Sequence, residues 1–338
     1  MLIADRWDAH ADVSLYLGDT LELLAQMPDQ CAQLVITSPP YNIDKEYERG
    51  KRMTLDQYVE DQRRFIDECV RILRPGGSIC WEVGNHVAPD QIYPLDIILY
   101  PVFHRHADLK LRNRIVWHFE HGLHCTKRFS GRHETILWFT KGDEYPFDVD
   151  PIRVPQKYPG KRAWKGPNAG EYTGNPLGKN PGDVWIFPNV KANHIEKTVH
   201  PCQFPVELVE RFVLSVTAPG DLVFDPYMGV GTTACAAILH GRRAAGADVV
   251  EEYIQIARER VLLAHRGLLK TRPMGRPVHQ PNPDSALARR DSSPPRPMRT
   301  ARQRGPAQGL RIALSVLNGE AAPQSEEPSQ LKLLESSG

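Results

Sequence analysis

Residues 35–42 read VITSPPYN. The run from Gln33 to Thr37 is apolar and β-branched, the composition of a strand buried within a parallel sheet. Pro39 and Pro40 carry no backbone N–H, so no ladder continues through them and the chain must stop and turn. In an open α/β sheet, ligands and chemistry gather at the carboxyl ends of strands. The stretch therefore predicts a parallel strand with a site just past its end, at Ser38 and Tyr41. A plain Pro-Pro loop with exposed Ser and Tyr is the bland alternative.

The same rhythm extends on either side. VSLYLGD at 13–19 and QLVITS read as strands, a helix follows near 56–73, and SICWEVGN comes after the LRPGG turn. LRNRIVWHF at 111–119 and ETILWFT at 134–140 are placed to close the sheet as a late hairpin. From about 145 to 200 the pattern dissolves into Pro, Gly, Lys and Asn, and so long an irregular stretch is usually functional or disordered. Then FPVELVERFVLSV reads as an amphipathic helix, DLVFD as a strand, GTTACAAILHG as a helix, RAAGAD as a strand and EEYIQIARERVLLA as a helix. This alternation predicts an α/β fold with a mainly parallel sheet covered on both sides.

Composition narrows the class. The 338 residues are 41% hydrophobic and 25% charged, ordinary globular values, and a net charge of +1 says little about partners. Six cysteines, at 31, 69, 80, 125, 202 and 235, form no CxxC pair, which argues against a disulfide framework or a zinc ribbon and for a reducing cytoplasm. Neither a signal-peptide core nor a run of membrane-spanning length is expected. From about 266 the chain turns basic and poor in apolar residues, with nine Lys or Arg between 270 and 304. Such a composition predicts a disordered tail. A short apolar patch, LRIALSVL at 310–317, reads as a transient helix or a docking segment.

A second constellation is FDPYMGVGTT at 224–233: a strand ending in an acid, a glycine turn, then a helix start. Gly229 and Gly231 allow close backbone approach to a ligand. The stretch lacks the GK[ST] of a phosphate loop and a full GxGxxG, so neither a nucleoside triphosphate nor NAD is favoured. Asp225 beside the turn suits a zwitterionic amino acid moiety. One strand later Asp248 ends an apolar run, placed to accept hydrogen bonds from ribose hydroxyls.

TSPPYN followed far downstream by FDPYMGVGTT resembles the DNA amino-methyltransferases, and the order of the two motifs looks like the β-class of that family, over roughly residues 12–263. The resemblance implies a Rossmann-like sheet flanked by helices and S-adenosyl-L-methionine as cofactor. It divides the chain into a catalytic half at 1–144, a target-recognition insert at 145–199, a cofactor-binding half at 200–265 and the tail at 266–338. On that reading Ser38 and the carbonyl of Pro39 accept hydrogen bonds from the target NH2, Pro40 fixes the turn, and Tyr41 stacks on a base flipped out of the duplex. Phe224, Asp225, Pro226, Gly229, Gly231 and Thr232 form the cofactor loop, Asp248 faces the ribose and Asp19 the adenine. Asp19 reads equally as a helix N-cap, and Asp248 as a surface turn acid.

Serine in place of the aspartate of DPPY, with FP in HPCQFPVEL at 200–208, resembles the cytosine-N4 branch. Adenine N6 is the alternative, with an RNA or protein amide acceptor more distant and a catalytically inactive DNA-binding module as the rival of another class. PCQ at 201–203 also matches the nucleophile motif of cytosine-C5 enzymes, but its partner motifs are missing. His118, His121, His124 and Cys125 could suggest a metal, which the family does not need. Arg153, Lys157, Lys161, Arg162 and Lys165, interleaved with Tyr158 and Trp164, suit phosphate contact and base stacking, against a plain solvated loop. Double-stranded DNA is the expected partner, with a separate restriction endonuclease as a companion and a monomer or homodimer as the assembly.

Overall fold

The nine-stranded sheet at the centre of the molecule changes direction of winding between two strands, and the site lies there. The computed structural model describes residues 1–41, 53–88, 91–120, 122 and 124–278. Its strands are β1 (Ile3–Ala4), β2 (Val13–Leu17), β3 (Ala32–Thr37), β4 (Leu73–Val83), β5 (Asn85–Val87), β6 (Ile92–Pro94), β7 (Leu109–His118), β8 (His133–Lys141), β9 (Val184–Ile186), β10 (Leu222–Asp225) and β11 (Arg243–Asp248). The helices are α1 (Thr20–Leu24), α2 (Leu55–Ile72), α3 (Leu95–His104), α4 (Val206–Val216), α5 (Thr232–Leu239) and α6 (Glu251–His265).

The large sheet runs β1-β2-β11-β10-β3-β4-β8-β7-β9, and β5 and β6 form a small hairpin of their own. Within the large sheet β8 alone runs against the others, because β4 and β7 both pair with it antiparallel. From β3 the chain proceeds outward to β4, and from β10 it proceeds the other way to β11. The two strands lie side by side, Val223 opposite Leu34 and Phe224 opposite Val35. Their carboxyl ends therefore open a crevice at a topological switch point, the place where such sheets bind ligands.

Alternation along β3 explains why both faces are covered. Leu34 and Ile36 belong to a core with Phe212 of α4, Ala234 of α5 and Val261 of α6. Val35 points into the opposite core, with Phe65 and Ile66 of α2 and Leu99 and Phe103 of α3. Thr54 starts α2 with a reciprocal capping box, its hydroxyl accepting from Gln57 N and its own N–H donating to Gln57 Oε1.

The sequence pattern misses α3, where Pro101 interrupts a nearly continuous apolar run. It also treats LRPGG as a turn. In the structure β4 begins at Leu73, opposite Ala32, and a register shift absorbs the glycines before Ser78 pairs with Leu34. The expected tail boundary at 265 coincides with the end of α6, but the packed chain goes on: Arg272 is only 8% exposed. The rest of the expected tail, from 279 onward and including the patch at 310–317, lies outside the described residues.

Candidate active site

Ser38 follows the last residue of β3, and its hydroxyl lies 2.9 Å from the Tyr41 hydroxyl. Tyr41 in turn donates to Glu82 Oε2 on β4 at 2.8 Å. A phenol has one proton, so with that proton directed at Glu82 the Ser38 hydroxyl is the donor in the first contact. Ser38 then presents only lone pairs toward the cavity. The turn that makes this possible is held from outside, by Tyr58 of α2 donating to the carbonyl of Pro40 at 2.9 Å.

Tyr41 is 8% exposed, its ring lying against Gly84, where a β-carbon would come within 3.0 Å. The ring lines the cavity while the hydroxyl is engaged by Glu82. Burial, with Glu134 and Glu82 alongside, lifts that hydroxyl well above the ordinary phenol range, which keeps it a donor. Burial raises Glu82 as well, and it lifts Glu134 well above the carboxylate range, helped by the charge of Glu82. Two buried carboxyls side by side disfavour a second negative charge, so the pair titrates as a unit.

Across the crevice Asp225 ends β10. The sequence places it against the cofactor, but it is 1% exposed and does not line the cavity. Its oxygens accept from Thr37 Oγ1 at 2.5 Å, Thr233 Oγ1 at 2.6 Å and Tyr227 N at 3.0 Å. It ties the ends of β3 and β10 to the start of α5 from beneath, and burial pushes its carboxyl up to about 6. Phe224 is likewise wholly buried in the core.

Above this knot lies a cavity of about 220 Å³. It is lined by Ser38, Pro39, Pro40 and Tyr41 after β3, by Pro226, Gly229 and Thr232 after β10, and by Asp19 and Asp248. Asp19 lines the cavity while its Oδ1 caps α1 by accepting from Leu21 N at 2.8 Å. Asp248 accepts from Gly229 N at 3.1 Å and Val250 N at 2.8 Å, so it also shapes the glycine turn.

The two glycines of that turn differ. Gly229 has φ +50° and faces the cavity, where a β-carbon would lie 3.4 Å from His200 Nε2. Gly231 has φ +76° and faces away; a β-carbon there would come within 2.7 Å of Ala257 Cβ on α6. Phe65, His200, Cys202, Tyr227 and Tyr253 complete the walls, none of them assigned to the site by the sequence. Burial, with Lys197 and Arg260 nearby, lowers His200 to about 4, so a neutral imidazole faces the cavity at neutral pH.

The DNA methylase family model, which covers N6 and N4 enzymes, matches residues 32–259. The chain belongs to the DNA methylase family. The methylase is 51% identical over 244 residues to Type II methyltransferase M.BglII of Bacillus subtilis, an alignment covering 72% of this chain and 67% of that one. A putative DNA modification methylase of Thermus thermophilus, solved with S-adenosyl-L-methionine, is 28% identical, with a TM-score of 0.53 over 75% of this chain and 94% of that one. PvuII DNA methyltransferase, described as cytosine-N4-specific, superimposes with a TM-score of 0.59 over 76% of this chain and 92% of that one; at 21% identity it shows the fold alone.

S-adenosyl-L-methionine is the cofactor of this family, and the cavity's residues fit it. Gly229 leaves open the space that a side chain would fill, Asp19 and Asp248 offer carboxylates, and Phe65 and Tyr227 add aromatic surface. Cys202, in the PCQ motif, lies on this cofactor wall, its backbone N–H donating to His200 Nδ1 at 3.3 Å.

The insert after β8 is anchored at its ends and open between. Trp185 and Phe187 are buried under the Arg211 guanidinium of α4. Lys157, Lys161, Arg162 and Lys165 are exposed or nearly so, as is Trp164 at 94%. Arg162 stacks 3.9 Å over Tyr172. Arg153 differs: it is bound within the insert, to Asp150 Oδ1 at 2.7 Å and the Gly178 carbonyl at 3.2 Å. Among the described residues no group of three or more His, Cys, Asp or Glu side chains could hold a metal, and His121 lies outside them.

Proposed function

We propose that this methylase transfers a methyl group from S-adenosyl-L-methionine to the exocyclic N4 of a cytosine flipped out of double-stranded DNA, as the modification partner of a restriction system. The observation that carries the reading is the direction of the hydrogen bonds from Ser38 through Tyr41 to Glu82. An aromatic amine is a poor nucleophile because its lone pair is delocalised into the ring, and a group that only accepts hydrogen bonds from its N–H draws that lone pair back to nitrogen. Ser38 Oγ and the Pro39 carbonyl are two such acceptors at the end of one strand.

Bound S-adenosyl-L-methionine supplies a methyl group on a sulfonium. The chain's own part is positional. The Tyr58 bond to Pro40 fixes the turn, and Asp225 locks the catalytic strand to the cofactor loop, so acceptor and donor sites keep one geometry. The proton leaving the amine has a route through Ser38 and Tyr41 to the Glu82 carboxylate.

Serine at position 38, where adenine enzymes more often carry an acid, supports N4 over N6, and the family's range keeps adenine N6 as the second reading. The exposed cations and aromatics of the insert support its role in reading DNA. Single-molecule sequencing of DNA from a host expressing the chain tests this. Modified cytosines confined to one recognition sequence fit it, and modified adenines there would move the reading to N6.

A further inference from the structure

Beyond α6, and outside the stretch that the family model matches, residues 266–278 run back over the molecule to a buried ionic knot. Arg272 sits at its centre. Its Nη1 donates to both oxygens of Glu207, at 2.7 and 2.5 Å, and Glu207 on α4 is wholly buried. The backbone N–H of Arg272 donates to Glu196 Oε1 at 2.9 Å, while the other oxygen of Glu196 accepts from Val206 N, at the start of α4. One carboxylate thus joins the C-terminal segment to the loop that precedes α4.

That loop is a cofactor wall. Gln203 Nε2 donates to the Glu196 carbonyl at 2.9 Å, and Thr198 donates to Gln203 Oε1 from its hydroxyl at 2.9 Å. His200 N donates to Thr198 Oγ1, and the His200 ring stands edge-on to Tyr253 at 4.8 Å, beside Gly229. The other wall is held separately by Arg260, which donates to the carbonyl of Val230 in the glycine turn and to Thr232 Oγ1.

We propose that Arg272 is a positioning residue for the cofactor cavity, latching the 194–204 loop through Glu196 and Glu207. Buried pairs of this kind lend little net stability against apolar replacements, but breaking one partner is disruptive because the other charge is left uncompensated. The effect of losing the latch should therefore fall on the wall that the pair holds. DNA contacts, which the functional reading assigns to the insert, should be spared.

Full-length Arg272→Lys and Arg272→Met test this. Lysine keeps the charge but has no second nitrogen to replace Nη2, which donates to the Arg276 carbonyl, so it carries the test should the methionine variant not fold. The measurements are S-adenosyl-L-methionine affinity by calorimetry, DNA affinity, and amide hydrogen exchange. The expected result is a rise of about tenfold or more in the cofactor Kd, with DNA Kd within about twofold and faster exchange confined to residues 194–204. A folded variant that binds the cofactor as the wild type does would overturn the proposal. So would equal losses of cofactor and DNA affinity, which mark a general loosening of the fold.

Discussion

Ser38 and Tyr41 meet through their hydroxyls at 2.9 Å, and the Tyr41 proton is directed at Glu82, so the serine donates to Tyr41 and keeps its lone pairs for the cavity it lines. Removing either end of that chain should separate chemistry from binding. Ser38→Ala is expected to lower kcat by about 10² to 10³, the usual loss for one polar group at a reacting centre, with cofactor Kd unchanged. Tyr41→Phe keeps the ring but strands a buried oxygen of Glu82, and a stability loss of about 1–3 kcal/mol should accompany its fall in kcat. Single-turnover methylation and urea unfolding measure the two. A Ser38→Ala enzyme with full kcat would remove the serine from the chemistry.

The two glycines of the cofactor turn should fail differently. Gly229→Asp puts a charged side chain into the cavity and is expected to raise the cofactor Kd by about tenfold or more, with modest change in Tm. Gly231→Ala forces a β-carbon against Ala257 and should destabilise the fold by about 1–3 kcal/mol through overpacking. Calorimetry and thermal unfolding distinguish them; matching phenotypes would contradict the structural division.

Asp225 predicts a pH dependence. Its folded carboxyl lies near 6 against an ordinary 3.8, so the native state binds this proton more tightly than the unfolded chain does. The resulting stabilisation is complete below about pH 4 and is lost as pH rises through about 6, a change of about 3 kcal/mol at 1.36 kcal/mol per unit. Urea titrations of wild type and Asp225→Asn between pH 4 and 7 should diverge in that window, wild type losing stability relative to the variant as pH rises. Parallel curves would show that Asp225 titrates normally.

Replacing Lys161, Arg162 and Lys165 together by alanine should weaken DNA binding and leave cofactor affinity intact. The salt dependence should also flatten, by up to about 0.9 in log–log slope for each phosphate that the protein no longer neutralises. Fluorescence anisotropy over a salt series measures this. An unchanged slope would leave the insert's cations as solvated surface.

Local patterns make much of this legible. The strand before Ser38 and the turn at 224–233 announce themselves within ten residues each, since a Pro-Pro stop and a glycine turn are short-range events. Glu82 and Glu134 depend on β4 lying between β3 and β8, a pairing that no local pattern reports. A clue is present, because Glu82 is the one charge in the apolar run ICWEV. Asp225 misleads for the converse reason: an acid at a strand end looks exposed until Thr37 and Thr233 arrive from elsewhere in the chain. Arg272 sits in a segment whose composition promises disorder, and only the buried Glu207 shows why it is ordered.

The most direct test is mass spectrometry of nucleosides digested from duplex DNA after incubation with the methylase and S-adenosyl-L-methionine, beside Ser38→Ala. N4-methylcytosine is the expected product, and it should fall sharply in the variant. N6-methyladenine, or N4-methylcytosine at undiminished rate without the serine, would contradict the assignment of Ser38 as the acceptor for a cytosine amine.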